Sequence, residues 1–255
     1  MEAYTASIGI DEPFAFSCSP VVTCFNECCR DLNQFLTPYD VLRLKNALKI
    51  TSSDFLDQYT MLHTGPESGL PVVTLRPKPG KDMACPFVTS SGCAVYDDRP
   101  AACRAYPIAR AIKRSRETGE ISEYFMLIKE PHCKGHEQRK TQTVREWLKD
   151  QGLSIYNTMN DMLMEIISLK NRMMPGQLDR HARQLFYLAC YDMDTFRTDI
   201  FKNNLLSGSM PENTLLELIG NNETALLTFG HAWTKQKLFG IHIDYDQLCK
   251  VMEET

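Results

Sequence analysis

Four cysteines within twelve residues, arranged Cys18-x5-Cys24-x3-Cys28-Cys29, constrain this chain more than any other feature of it. A second group follows as Cys85-x7-Cys93-x9-Cys103 and then Cys133, so that eight of ten cysteines fall in the first 133 of 255 residues. The start, Met1 to Thr5, has no basic or apolar leader character, and no apolar run approaches the roughly 18 residues of a membrane span. A cytoplasmic protein without a membrane partner is therefore expected, and in that reducing setting clustered thiols point to metal or redox chemistry rather than structural disulfides. Lys and Arg number 28 against 32 acidic residues, a net charge of −4, which makes no case for a nucleic-acid partner.

Thiolate is a soft ligand suited to zinc and iron–sulfur centres, and short loops can converge several sulfurs on one point. The candidate metal ligands are Cys18, Cys24, Cys28, Cys29, Cys85, Cys93, Cys103 and Cys133, each weighed against use as a small buried apolar residue. Adjacent Cys28 and Cys29 leave the backbone in different directions and serve two metal atoms more easily than one, which suggests a polynuclear cluster or two sites. Cys190 and Cys249 stand in helical apolar patterns far from the others and read as core thiols.

With 43% apolar and 24% charged residues the chain can bury a globular core. An extended lead covers residues 1 to 17. Thr37-Pro38-Tyr39-Asp40 combines a capping Thr, a Pro at the first helical position and an acid in the first turn, which predicts a helix near 38 to 48. Thr51 to Asp54 opens a second short helix carrying Phe55, Leu56, Tyr59 and Met61. Pro71 to Leu75 is a β-branched strand, and Ile108 to Lys129 reads as a hairpin with its tip at Glu117-Thr118-Gly119-Glu120. After Lys140 helical periodicity takes over: a long helix closed by Met173-Met174-Pro175-Gly176, then helices near 178–190, 192–205, 211–219, 223–238 and 244–253. The expected class is α+β: a Cys-rich N-terminal metal-binding domain over 14–140, with short helices and β-hairpins, followed by an all-helical C-terminal region over 141–255.

Read in order, Phe16-Ser17-Cys18, Cys24-Phe25-Asn26-Glu27-Cys28-Cys29, Leu36 to Val41, Cys85-Pro86-Phe87-Val88, Gly92-Cys93-Ala94-Val95-Tyr96, Arg99-Pro100 and Cys103-Arg104-Ala105-Tyr106-Pro107 resemble the YkgJ-type cysteine-cluster proteins. Those carry the CxxCxxCC domain, described as zinc- or iron-chelating and often labelled as an iron–sulfur protein. The resemblance spans about 14 to 137. It departs at the leading motif, where the family has two residues in each gap and this chain has five and three, so Cys18 is the least secure ligand. A methyltransferase branch, the flagellin lysine N-methylases, carries a related cluster. This chain has nothing assignable as a methyl-donor site.

His132 and His136 flank Cys133, and either can complete a mixed sulfur–nitrogen zinc site; the plainer reading is two surface histidines. Arg99 and Arg104 are candidate cofactor-binding residues, offsetting thiolate charge and donating N–H to sulfur, with salt bridges to Asp97 or Asp98 as the alternative. The basic run Arg110, Lys113, Arg114 and Arg116 fits a charged, solvated strand edge better than a phosphate site. Met159, Met162 and Met164 read as core.

The expected cofactor is an iron–sulfur cluster in preference to zinc, because eight sulfurs with an adjacent pair suit polynuclear iron, and only Cys24-x3-Cys28 has the short spacing of zinc sites. A metal-binding protein with an electron-transfer or redox role and an unidentified protein partner leads. The alternatives are a cluster-containing oxidoreductase or protein lysine methyltransferase, and an interaction module with structural zinc. No nucleotide-binding glycine motif, no HExxH and no G-x-S-x-G is present.

Overall fold

The computed structural model describes residues 4–206 and 213–254 except Leu32, Glu67, Lys81, Arg116 and Gly119. Arg116 of the basic run, Gly119 of the hairpin tip and the first two residues of the helix expected at 211 lie outside the described residues. The chain forms two compact units, Met1–Leu32 with Pro77–Ser154, and Asn33–Arg76 with Ile155–Thr255, which divide it at places other than residue 140. The α+β class is as expected: small antiparallel sheets, with the helices mostly in the C-terminal half.

The cysteine-bearing unit is built on a three-stranded antiparallel sheet in the order Tyr4–Ile8, Ile121–Lys129, Ile108–Arg114. Alternation along the middle strand buries Phe125 and Leu127, which join Ile8, Ile108, Phe14, Phe16, Val144 and Trp147 in one core. Full burial of such side chains is worth about 1.5–3 kcal/mol each. The extended lead thus contains two strands. Tyr4–Ile8 pairs with the hairpin from Tyr4↔Lys129 to Ile8↔Phe125, and Pro13–Ala15 pairs with Thr141–Thr143. Thr143 then caps the Val144–Asp150 helix, accepting from the Glu146 amide while the Glu146 carboxylate accepts from the Thr143 amide. The Phe16 ring is fixed edge-on between Trp147, at 5.6 Å, and Tyr106, at 5.8 Å. Ile108–Arg114 is an edge strand, and Arg110 reaches Glu123 at 2.6 Å, as fits a charge-guarded edge.

In the other unit the two caps act as their chemistry requires. Thr37 and Asp40 form a reciprocal capping box ahead of Pro38–Leu48, and Thr51 accepts from the Asp54 amide ahead of Ser52–Tyr59. Met61, expected in that second helix, instead lies in a strand, Thr60–Thr64, which pairs with Pro71–Leu75; Phe35–Leu36 covers the other edge. The long helix runs Leu153–Met173, its start coinciding with the division between units, and is followed by Arg180–Cys190, Met193–Lys202, Asn213–Asn221, Glu223–Phe239 and Tyr245–Glu254. Gly230 allows its helix to lie against the Ala189 carbonyl, where a Cβ would overlap that oxygen. Lys45 is buried and bridges Glu223 at 2.6 Å and Asp194 at 3.3 Å. Cys190 is fully buried beside Thr234, as expected of a core thiol, whereas Cys249 is half-buried. Of the methionines, Met159 is core and Met164 is 45% exposed, since only the former lies on the helix's inward stripe.

Candidate metal centre

Each clustered thiol sits in irregular backbone, a turn or a very short element, where backbone amides are free to face a sulfur. The first segment is a chain of tight turns: Val22 donates to the Ser19 carbonyl, Phe25 to Val22, Glu27 to Cys24 and Cys29 to Asn26, at 2.9–3.0 Å. Asn26, in the left-handed region at φ 70°, turns the chain into the short 3-10 helix Glu27–Cys29. Cys93 lies on a minimal hairpin opposite Val88, and Cys103 in the helix Ala101–Ala105. Cys18, Cys28 and Cys103 are exposed, while Cys24, Cys29, Cys85, Cys93 and Cys133 are half-buried.

Backbone hydrogen bonds tie these segments together. The Ser17 amide donates to the Gly135 carbonyl at 3.1 Å, and the Lys134 amide donates to Cys24 Sγ at 3.0 Å. The Cys85 amide donates to the Cys29 carbonyl at 2.8 Å, the Asp31 amide to Asp82 at 3.0 Å, and Asn26 Nδ2 to the Thr89 carbonyl at 2.9 Å. As a result the thiols lie within one another's fields. Cys18 is pushed up to about 11, first by burial and then by Cys28, Cys24 and Cys133. Cys29 is raised by its hydrogen bond to Cys28, by burial and by Cys85 and Cys103. That same bond is the largest influence on Cys28 and lowers it, so one thiol of the adjacent pair ionises more readily than an isolated cysteine.

One local device recurs. Burial raises Cys85, but the amides of Phe87 and Val88 oppose it; burial raises Cys93, opposed by the Val95 amide and Arg99; burial raises Cys133, opposed by the neighbouring Tyr106 hydroxyl and the Gly135 amide. In each case the amide two residues on faces the sulfur. An N–H aimed at sulfur favours the thiolate, which is the form that ligates metal. The sequence reading missed these donors and Tyr106 as a sulfur neighbour. Their only trace is the shape of Cys-Pro-Phe, Cys-Ala-Val and Cys-Lys-Gly and of the Cys-Arg-Ala-Tyr-Pro run.

Arg99 is buried, lies over the Tyr96 ring at 3.9 Å, and donates to the Tyr96 carbonyl at 2.6 Å and to Gln151 Oε1. Its charge faces Cys103 and Cys93. Arg104 donates to the Gln151 carbonyl at 2.7 Å and to that of Asp97. The histidines differ. His132 is exposed and sits 3.6 Å from Glu130, whereas His136 is half-buried against Phe16, at 5.2 Å between rings, with neither ring nitrogen in good hydrogen-bond geometry. Burial first, then Lys129, lowers the His136 pKa.

Among the described residues, no group of three or more His, Cys, Asp or Glu side chains is placed so that it could hold a metal ion. The donor set nevertheless fits zinc or an iron–sulfur centre in kind, being soft sulfurs with backbone amides directed at several of them. Two hollows of 440 and 330 Å³ lie elsewhere, one lined by Ile10, Glu123 and Arg145 and the other by Asp57, Arg76 and Asp192, and no cysteine lines either. Among the described residues no helix is long and apolar enough to cross a membrane.

A family described as CxxCxxCC, "putative zinc- or iron-chelating domain", matches residues 17–158. No curated protein and no solved structure matches the chain.

Proposed function

The chain belongs to the CxxCxxCC family of zinc- or iron-chelating domains, and from that premise we propose that it holds an iron–sulfur cluster, in preference to zinc, through Cys18, Cys24, Cys28, Cys29, Cys85, Cys93, Cys103 and Cys133. The observation that carries this reading is the approach of eight thiols from four chain segments, several of them faced by backbone amides. A bound cluster supplies one-electron redox chemistry, its potential tuned by hydrogen bonds to sulfur and by exposure. Residues 14–140 act as the metal-binding domain in this reading, with an electron-transfer role for the bound cluster.

The protein's own groups have definable tasks. The Lys134, Phe87, Val95 and Gly135 amides stabilise thiolate. The adjacent Cys28-Cys29 pair shares a hydrogen bond and so keeps a proton until ligation displaces it, and metal uptake releases protons. Arg99, facing Cys93 and Cys103, offsets ligand charge, while Phe16, Trp147 and Tyr106 hold the Cys133 turn. The test is anaerobic purification with iron, zinc and sulfide analysis and visible and EPR spectra. Iron with sulfide and broad absorption bleached by dithionite supports the reading. Stoichiometric zinc in a colourless protein transfers it to a structural metal, and absence of both metals overturns it.

A further inference from the structure

The 330 Å³ hollow belongs to the unit that holds none of the clustered cysteines, and it carries charges of both signs that are fixed apart. Its carboxylates are Asp57 and Asp192, and its cation is Arg76. Asp192 Oδ1 accepts from the Ser52 and Ser53 hydroxyls, each at 2.8 Å, while Oδ2 takes no hydrogen bond from the described residues. Ser53 and Asp57 are four residues apart on the Ser52–Tyr59 helix, so the serine that holds Asp192 and the second carboxylate share one helix face. The Asp192 amide donates to the Tyr187 carbonyl at 3.1 Å. Burial first, then Asp192 and Asp57, pushes the Tyr187 phenol up to about 12, so its hydroxyl stays neutral beside both carboxylates. Arg76 is held by other groups: its amide donates to the Tyr59 carbonyl and its guanidinium to the Thr60 carbonyl, both at 2.8 Å. Among the described residues, neither carboxylate nor the guanidinium enters an ion pair. Leu56, Met61 and Leu62 supply an apolar wall, the last two 38% and 57% exposed.

We infer that this hollow is a binding site for a free α-amino acid with an apolar side chain. Backbone carbonyls hold Arg76 and serine hydroxyls hold Asp192, so the opposite charges line one space without closing onto each other. A zwitterion satisfies both signs together. Its carboxylate accepts from the Arg76 guanidinium, its ammonium donates to Asp57 and to Asp192 Oδ2, and its side chain covers Leu56, Met61 and Leu62. Charge-assisted bonds of this kind are about twice as strong as neutral ones, and groups already held in place lose little freedom on binding. The volume lies at the small end for ligand pockets, which suits a molecule of one residue rather than a nucleotide. A peptide end presents only one of the two charges, and so leaves either Arg76 or the carboxylate pair unanswered.

The probe is L-leucine, titrated to millimolar concentration into the full chain and followed by calorimetry and saturation-transfer NMR. Saturable binding of a single L-leucine is expected. N-acetyl-L-leucine lacks the ammonium and L-leucinamide lacks the carboxylate; each should bind at least about tenfold more weakly, the effect of losing a hydrogen bond between charged groups. That comparison uses the unmodified chain and depends on no variant folding. Asp57 and Arg76 are exposed, so Asp57→Asn and Arg76→Gln should keep the circular dichroism spectrum and each weaken L-leucine by a similar factor. Absence of L-leucine binding, undiminished binding of either derivative, or unchanged L-leucine binding in either variant overturns the assignment. None of these results bears on the metal-binding reading, because the hollow and both substitutions lie outside the cysteine-bearing unit.

Discussion

Replacing Gly135 by Ala places a methyl group where the Phe16 ring stands. A Cβ at that position would overlap ring atom Cε2 and lie 2.9 Å from Cδ2 and 3.1 Å from Cζ. Phe16 is 3% exposed, and its edge-on contacts with Trp147 and Tyr106 leave the ring no open direction in which to turn. Overpacking of a filled core costs about 1–3 kcal/mol, and a rigid ring trapped on two sides belongs at the upper end. For a chain of this size each kcal/mol lowers Tm by roughly 2–4 °C, so a loss of about 4–12 °C is expected for Gly135→Ala. Thermal unfolding followed by near-UV circular dichroism measures it. Because the clash is with one ring, adding Phe16→Leu should recover part of the loss, with a coupling of about 0.5–3 kcal/mol in the double-mutant cycle. The Gly135 carbonyl also accepts from Ser17, and its amide faces Cys133, so the single variant should bind metal more weakly as well. An unchanged Tm, or additive effects of the two substitutions, would refute the argument.

Lys45→Met should cost about 3 kcal/mol in urea unfolding, the low end for breaking a buried ion pair, because the Asp194 and Glu223 side chains remain 26% exposed. Burial raises both carboxyls but is outweighed, by the Ser52 amide and Lys45 at Asp194 and by Lys45 and Asn46 at Glu223, so both titrate below their ordinary range. Their contribution is therefore present above the ordinary carboxylate range and lost as pH falls through it to the lowered folded values; the variant should lose less stability than the unmodified chain across that acid window. Cys190→Ala, at a fully buried thiol, should cost roughly 1 kcal/mol with metal content unchanged, and loss of metal would contradict its assignment to the core. In the metal-free chain, iodoacetamide should label Cys28 ahead of Cys29, because Cys28 is exposed while Cys29 is half-buried and the hydrogen bond between them lowers Cys28 and raises Cys29; peptide mass spectrometry reads the ratio, and equal labelling speaks against that ordering.

What the sequence determined by itself is what short range can encode. Thr37 with Asp40 and Thr51 with Asp54 start helices because cap and amide are three residues apart; the Ile108–Arg114 and Ile121–Lys129 strands follow from alternation around a tip; and the cysteine spacing names a donor type. What only the tertiary structure decided is pairing over long separations. Tyr4–Ile8 becomes a strand because Phe125 and its neighbours offer an open edge more than a hundred residues on, and Thr60–Thr64 leaves the preceding helix because Pro71–Leu75 supplies hydrogen-bond partners. The candidate centre divides in the same way. Thiol identity is a property of composition, but which amide faces which sulfur, as Lys134 faces Cys24, depends on where turns distant in sequence are brought to rest. Side-chain chemistry is carried by the letters of the chain, whereas backbone donors are the same at every residue except proline and acquire meaning only from position.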